Sequence, residues 1–317
     1  MPITKVMAPL VSGFSFQRRR NEVAPQKDSC LQTQGSLACD LRKAEMIGRS
    51  LVVKPQVHQT NPDISAILNT LIENDKKTKN PIIKSVHPNF ISQFAKKLND
   101  NPEKNILIGI CGESASGKST ICRTIRNAAE KENLSVEILS ADNYFKDISA
   151  LIQKYGSFDG VIKSGYDVDA PTNFDMEQLH DDLVELSNGN DVRIPQYLID
   201  GTGVSVPNAI PKKAQKVIVV EGLATMYSPI REILDAQIYV DIDPEIQEKR
   251  YVKRAKAERN QTEEEALHQL VYVRQAAEKY ILPKKDETDI TIDGSTPQGR
   301  FSKMLKDLSD LIRTNQE

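Results

Sequence analysis

Asn105-Ile-Leu-Ile-Gly-Ile-Cys111-Gly112-Glu-Ser-Ala-Ser-Gly117-Lys118-Ser119-Thr120-Ile121-Cys-Arg123 is the stretch that sets the fold. Its first half, Ile106 to Cys111, is a short apolar run rich in β-branched residues and closed by a glycine. It reads as a buried strand. Gly112 to Ser119 fits G-x-x-x-x-G-K-[ST], and Thr120, Ile121, Ile125 and Ala128 then open a helical apolar pattern. Strand, glycine loop and helix together are the context a phosphate-binding loop requires. Glycines let the backbone close around phosphate oxygens, and the new helix adds its positive end. Gly112, Glu113, Ser114, Ala115, Ser116, Gly117, Lys118, Ser119 and Thr120 are therefore the candidate nucleotide-binding residues. Lys118 supplies a point charge to the outer phosphates. The Ser119 hydroxyl is placed for Mg²⁺.

Beyond residue 105 the pattern alternates strand and helix, which argues an α/β fold with a parallel sheet. Strands are expected at Ile106–Cys111, Val136–Ser140, Lys216–Val220, Gln237–Asp241 and Asp289–Ile292. Helices are expected at Lys118–Glu132, Met176–Ser187, Pro244–Glu258, Thr262–Tyr280 and Gln298–Ile312. Between them, Val192 to Pro207 reads as an inserted hairpin. Upstream, Ile64, Ile67, Leu68, Leu71 and Ile72 fall at helical spacing behind Asn61 or Asp63 as cap. A second helix is expected from about Asn89 to Leu98. Residues 61–103 thus read as a helical extension of a phosphate-loop domain at 104–317. Its residues leave room for a regulatory or homo-oligomerising role without demanding one. Residues 1–60 are weakly patterned and read as a tail. Arg18-Arg19-Arg20 within it is too short to argue for nucleic acid.

The totals exclude more than they assign. The chain has 317 residues, 39% of them hydrophobic, with 42 basic against 44 acidic side chains. A balance so near neutral gives no reason to expect a nucleic-acid or membrane partner. Trp is absent, which weakens any base-stacking platform. The four cysteines (Cys30, Cys39, Cys111, Cys122) form no C-x-x-C pair, as expected of free thiols in a reducing, cytoplasmic setting.

A phosphate loop alone does not separate kinases from GTPases, but the N-K-x-D motif of base recognition in GTPases is missing. Four further places carry chemistry. Asp142 follows the second strand, at the crevice end of an open sheet, where a carboxylate can take a proton from an attacking hydroxyl or merely cap a turn. Asp169 lies in the acidic loop Tyr166-Asp-Val-Asp-Ala-Pro-Thr-Asn-Phe-Asp175, upstream of the N-cap Asp175. Glu221 ends the strand Val217–Val220, in the manner of a second metal-site carboxylate. Arg250 and Arg254 share one helix face, where a cationic lid can stabilise charge on a transferred phosphoryl group.

In this order the pieces resemble the uridine kinase/phosphoribulokinase family, over roughly residues 104–295, and uridine–cytidine kinase in particular. The D-S-F-Y-like motif stands here as Asp142-Asn143-Tyr144-Phe145. F-D-x-P-x-x-F-D stands as Val168-Asp169-Ala-Pro171-Thr-Asn-Phe174-Asp175. P-x-Y stands as Pro195-Gln-Tyr197, the E-G strand end as Glu221-Gly222 and the lid arginines as Arg250, Arg254 and Arg259. L-P-x-K stands as Leu282-Pro283-Lys-Lys285. The resemblance implies a P-loop three-layer α/β sandwich with a mainly parallel five-stranded sheet, the inserted hairpin and the helical extension. It implies ATP and Mg²⁺ as cofactors and a small-molecule hydroxyl as acceptor. It also implies Asp142 as general base and Lys118, Arg254 and Arg259 as catalytic cations. Ser119 and Glu221 would hold the metal, and Asp169, Tyr197, Tyr144 and Phe145 would contact the acceptor. The chain departs from the pattern in three places. The hairpin Tyr197-Leu-Ile-Asp200-Gly-Thr202-Gly203 carries no histidine. The lid ends Arg259-Asn260-Gln261 with one arginine fewer, and Asn143 replaces serine with the two aromatics exchanged. A nucleoside acceptor is expected first. A phosphoribulokinase- or pantothenate kinase-like acceptor, or a nucleotide-binding regulator with little turnover, stands as the alternative.

Overall fold

The strands Ile106–Cys111, Val136–Ser140 and Val217–Glu221 alternate their side chains between two cores. On one face Leu107, Leu139, Ile218 and Val220 pack with Leu179, Leu183 and Leu186 of a single helix. On the other, Ile110, Val219, Val240 and Ile292 pack with Ile121, Cys122 and Phe301. A sheet buried on both faces needs apolar residues at successive positions, which is why its strands read as continuous runs. The computed structural model describes residues 63–259 and 261–314, and of Arg259 the backbone alone.

In chain order the principal elements are α1 (Ile64–Lys76), β1 (Ile83–Val86), α2 (Phe90–Asp100), β2 (Ile106–Cys111), α3 (Lys118–Lys131), β3 (Val136–Ser140), α4 (Met176–Ser187), β4 (Val192–Tyr197), β5 (Ser205–Lys212), β6 (Val217–Glu221), β7 (Ala236–Asp241), α5 (Pro244–Arg259), α6 (Glu263–Tyr280), β8 (Ile290–Asp293) and α7 (Gln298–Thr314). The sheet order is β1-β8-β7-β2-β6-β3, and β4 pairs with β5 in a separate antiparallel ribbon. The α/β class, the mainly parallel sheet and the hairpin are as the sequence led us to expect. Among the described residues the sheet has six strands, not five. Its extra member, β1, pairs antiparallel with β8.

β1 escapes a sequence reading because it is four residues long with two of them exposed, leaving no apolar run. It is held from both sides. The buried Asp75 carboxylate accepts from the backbone N–H groups of Ile82 (3.1 Å) and Ile83 (2.8 Å). Lys84 bonds Asp241 at the end of β7 (2.8 Å). Residues 61–103 thus contribute two helices and a sheet strand. Asp63, one of the two expected caps, does cap α1, accepting from Ala66 N–H at 3.1 Å. Two short helices, Ser149–Tyr155 and Phe158–Lys163, also lay outside the sequence reading. The tail at 1–60 with Arg18 to Arg20, and Cys30 and Cys39, lies outside the described residues. Among the described residues no helix is long and apolar enough to cross a membrane.

The sheet order positions the site. β6 lies between β2 and β3, so consecutive strands β2 and β3 are not neighbours. Glu221 pairs in register with Ile110 on one side and Ser140 on the other. One carboxylate is thereby set between the phosphate loop and Asp142 at the carboxyl ends of the strands, where ligands of open α/β sheets bind. Behind the loop, Gly294 packs against its backbone. A Cβ there would lie 2.2 Å from Ser116 O and 2.8 Å from Asp241 O. Backbone cannot yield as a flexible side chain can, and overpacking typically costs 1–3 kcal/mol. Gly294→Ala should therefore lower the melting temperature by roughly 2–12 °C, at 2–4 °C per kcal/mol for a domain of this size. Scanning calorimetry checks it, and an unchanged midpoint would refute the close approach.

Candidate active site

The phosphate loop forms as its sequence requires. Gly112 and Gly117 take φ of 138° and 112°, and Ala115 takes 62°. At Gly112 a Cβ would sit 2.5 Å from Val240 O, so the position demands glycine on two grounds. Lys118, the first residue of α3, folds back over the loop. Its ammonium donates to Gly112 O and Glu113 O, both at 2.9 Å. Ser119 Oγ lies 3.4 Å from Glu221 Oε1.

α5 brings its cations onto the same loop. Arg250 Nη1 donates to Ser116 O (3.2 Å) and Gly294 O (2.9 Å), and Arg254 Nη2 donates to Ser114 Oγ (3.0 Å). Gln247, one turn earlier and buried, reaches Glu113 Oε1 (3.3 Å) and Ser114 O (3.2 Å) while accepting from Arg274 Nε (3.0 Å). Glu113 is thus bound sideways to the helix, and burial raises its pKa. The loop, Arg250, Arg254 and residues Asp293–Gln298 line a cleft of about 530 Å³. Gln247 and Gly294 carry no motif and were not foreseen. The only signal would have been their fixed spacing from Arg250 and from β8. The side chain of Arg259, expected among the catalytic cations, lies outside the described residues.

Asp142 sits in the 3₁₀ turn Ala141–Tyr144 that follows β3. Three residues per turn put Ala141 and Tyr144 on one side, and both are buried. Asp142 is left toward the loop. Desolvation and then the like charge of Glu221 push its pKa up to about 6. Lys118 and Arg254 oppose the shift, and Asp169 adds to it. These five groups therefore share one electrostatic neighbourhood. Gly222 makes the approach possible: its φ is 136°, and a Cβ there would lie 2.9 Å from Ala141 Cβ and 3.3 Å from Asp142 Oδ1. Asp169 is also raised, first by burial and then by Asp167.

The acceptor side needs one correction. Tyr144, expected to touch the acceptor, is a core residue whose hydroxyl donates to Asp182 Oδ2 at 2.8 Å. The turn's three-residue period carries it inward, whereas Phe145, the next residue, is only partly buried. Phe145 stacks near Phe174 (4.1 Å between centroids) and Tyr197 (5.4 Å). Burial, with the nearby Asp147, Tyr166 and Asp200, pushes the Tyr197 hydroxyl up to about 12. The hairpin is seated by Asp147, which accepts from Ser205 N–H (3.0 Å), and by Ile148 N–H on Gly203 O (2.9 Å).

An oxygen donor set of hydroxyl and carboxylate suits a hard divalent cation. Mg²⁺ bound with phosphates takes only one or two ligands from protein. Ser119 and Glu221 fit that role, and among the described residues no cluster of three metal-binding side chains exists to suggest a dedicated cage. Cys111 and Cys122 are free, buried thiols whose pKa values burial pushes up to about 12, so neither is a nucleophile.

Residues 107–298 match the model of the Phosphoribulokinase / Uridine kinase family. The chain is 33% identical over 205 residues to a protein described as uridine kinase from Staphylococcus aureus, covering 64% of this chain and 92% of that one. It is 33% identical over 194 residues to uridine-cytidine kinase A of Dictyostelium discoideum, covering 61% of this chain. The match spans only 36% of that longer relative. A solved phosphoribulokinase from Rhodobacter spheroides superposes with a TM-score of 0.45 and 18% identity, over 62% of this chain and 74% of that one.

Proposed function

The chain belongs to the phosphoribulokinase/uridine kinase family, and on that premise we propose that it transfers the γ-phosphoryl group of Mg-ATP to a primary hydroxyl of an uncharged, nucleoside-like acceptor. The observation that carries the reading is Asp142, a carboxylate with its pKa lifted toward neutrality beside Lys118 and Glu221. Such a group is poised to accept a proton near pH 7. The acceptor oxygen attacks the γ-phosphorus, the bond to ADP breaks, and the hydroxyl proton passes to Asp142. Lys118 and the loop N–H groups hold the outer phosphates, and Arg250 and Arg254 close on them from α5. Ser119 and Glu221 would hold Mg²⁺, which when bound neutralises phosphate charge. The protein's share is positioning and electrostatics.

The absence of charge on the acceptor is read from the cations nearby. A phosphorylated acceptor needs free basic groups, and the basic residues between Asp142 and Asp169 are Lys146, Lys154 and Lys163. Lys146 bonds Thr172 O (2.8 Å), Lys154 lies over the Tyr155 ring and Lys163 pairs with Asp159. Around Tyr197 stand Asp147 and Asp200. This acidic setting favours hydroxyl-rich neutral acceptors over sugar phosphates. The hairpin holds no histidine, and its Asp200 and Thr202 bond each other at 2.5 Å, so recognition of a base would rest on other groups. ATP use and free thiols suit a cytoplasmic enzyme.

The test is ADP release from Mg-ATP with uridine, cytidine, adenosine, ribulose 5-phosphate and pantothenate. A rate dependent on uridine or cytidine is expected. A rate with ribulose 5-phosphate alone would overturn the uncharged acceptor. ATP binding with no acceptor-dependent rate would favour a regulatory protein.

A further inference from the structure

The Asp167 carboxylate, two residues before Asp169, is engaged by the far end of the arginine-bearing hairpin of helices. Its Oδ2 accepts from Lys279 Nζ at 2.7 Å and from Tyr280 OH at 2.5 Å, both at the last turn of α6. Tyr280 O in turn accepts from Tyr227 OH at 2.6 Å. On the acceptor side, Asn173 ties the loop into one unit. It accepts from Tyr166 OH (2.8 Å) and donates to Asp167 O (2.6 Å) and Val168 O (3.1 Å). A bond from the Asp169 backbone also reaches Asp167, and burial alone would raise the Asp167 pKa. The bonds from Lys279 and Tyr280 hold it below the usual range.

α5 and α6 are consecutive helices joined by Arg274, which bonds Gln247 Oε1 at 3.0 Å and Pro244 O at 2.7 Å. α5 carries Arg250 and Arg254 on the phosphate loop. A displacement of α6 therefore moves both the phosphate-side arginines and, through Asp167, the loop that carries Asp169. We infer that Asp167 is a positioning residue that couples the acceptor loop to the helical hairpin over the phosphates, so that each substrate strengthens binding of the other. The inference rests on the kinase reading above.

A plain surface ion pair is the competing account. Lys279 is 62% exposed, and such pairs contribute little to stability. A coupling role is distinguished because it appears in the interaction between two ligands, and that interaction is reciprocal. Initial rates over a grid of ATP and nucleoside concentrations, with Mg-ATP binding measured separately without acceptor, read it directly. Asp167→Ala should raise the acceptor KM about tenfold and bring the mutual tightening of the two substrates close to one, within the range typical of coupled sites. ATP affinity without acceptor should stay within about twofold, since no phosphate contact is touched. Lys279→Met should give part of this effect, and the double variant no more than Asp167→Ala alone. An unchanged acceptor KM, an additive double variant, or an equal loss of ATP affinity without acceptor would overturn the inference. If wild-type protein turns over no acceptor, the functional proposal fails and amide exchange decides the coupling. Asp167→Ala should then speed exchange in residues 166–175 and 276–282 together while 112–119 is unchanged. A change confined to one of the two segments, or absent from both, would refute it.

Discussion

Asp142→Asn should lower kcat by about 10²–10⁴, the range of a lost general base, with Mg-ATP binding little affected. The pH profile makes the assignment specific. A base works deprotonated, and desolvation with Glu221 pushes this one up to about 6. Wild-type kcat/KM should therefore rise about tenfold per pH unit below about 6 and level off above it. The Asn variant should lack that limb. Stability should move the other way. The folded state holds the Asp142 proton more tightly than the unfolded chain. The stabilisation this brings is present at low pH and is lost as pH rises through about 6. A neutral amide removes the cost of that buried charge, so at pH 7.5 the variant should melt no lower than wild type. A fall in rate accompanied by a fall in melting temperature would point to a structural role. An intact acid limb in the variant would assign the base elsewhere.

Lys118→Met is the second large effect. The Lys118 ammonium now caps Gly112 O and Glu113 O, directly over the loop. One preorganised donor to developing charge is worth about 10²–10³ in kcat. The loss should fall on kcat as well as ATP affinity, because charge on the transferred group grows in the transition state. Steady-state rates over a range of ATP check it. A variant whose deficit vanishes at saturating ATP would make Lys118 a binding group only.

The strands and long helices were legible because each writes its own period, as in Ile106–Cys111 or Met176–Ser187. The phosphate loop was legible because its backbone geometry admits few residues. Tyr144 was misplaced because a motif names residues but not the pitch of the turn that presents them. In a 3₁₀ turn the third neighbour of Ala141 goes inward with it. Gln247, Gly294 and Asp167 were unreadable because their meaning lies in partners far away along the chain. Gly294 shows the limit most plainly: only the approach of Ser116 O, across the loop, explains why no side chain stands there.

The short antiparallel strand β1 bears on how this chain could be divided. The family match begins at residue 107, after β1 and both early helices. A chain trimmed to that match would leave β8 with a bare row of N–H and C=O groups along one side. Such a border invites pairing with another molecule's strand. β1 closes it with few residues, and Lys84 discourages a further strand from stacking outside. Recombinant work on the catalytic half alone would thus meet self-association before it met chemistry. A workable fragment must reach back at least to Asp63, which caps α1, and not stop at the boundary of the family match.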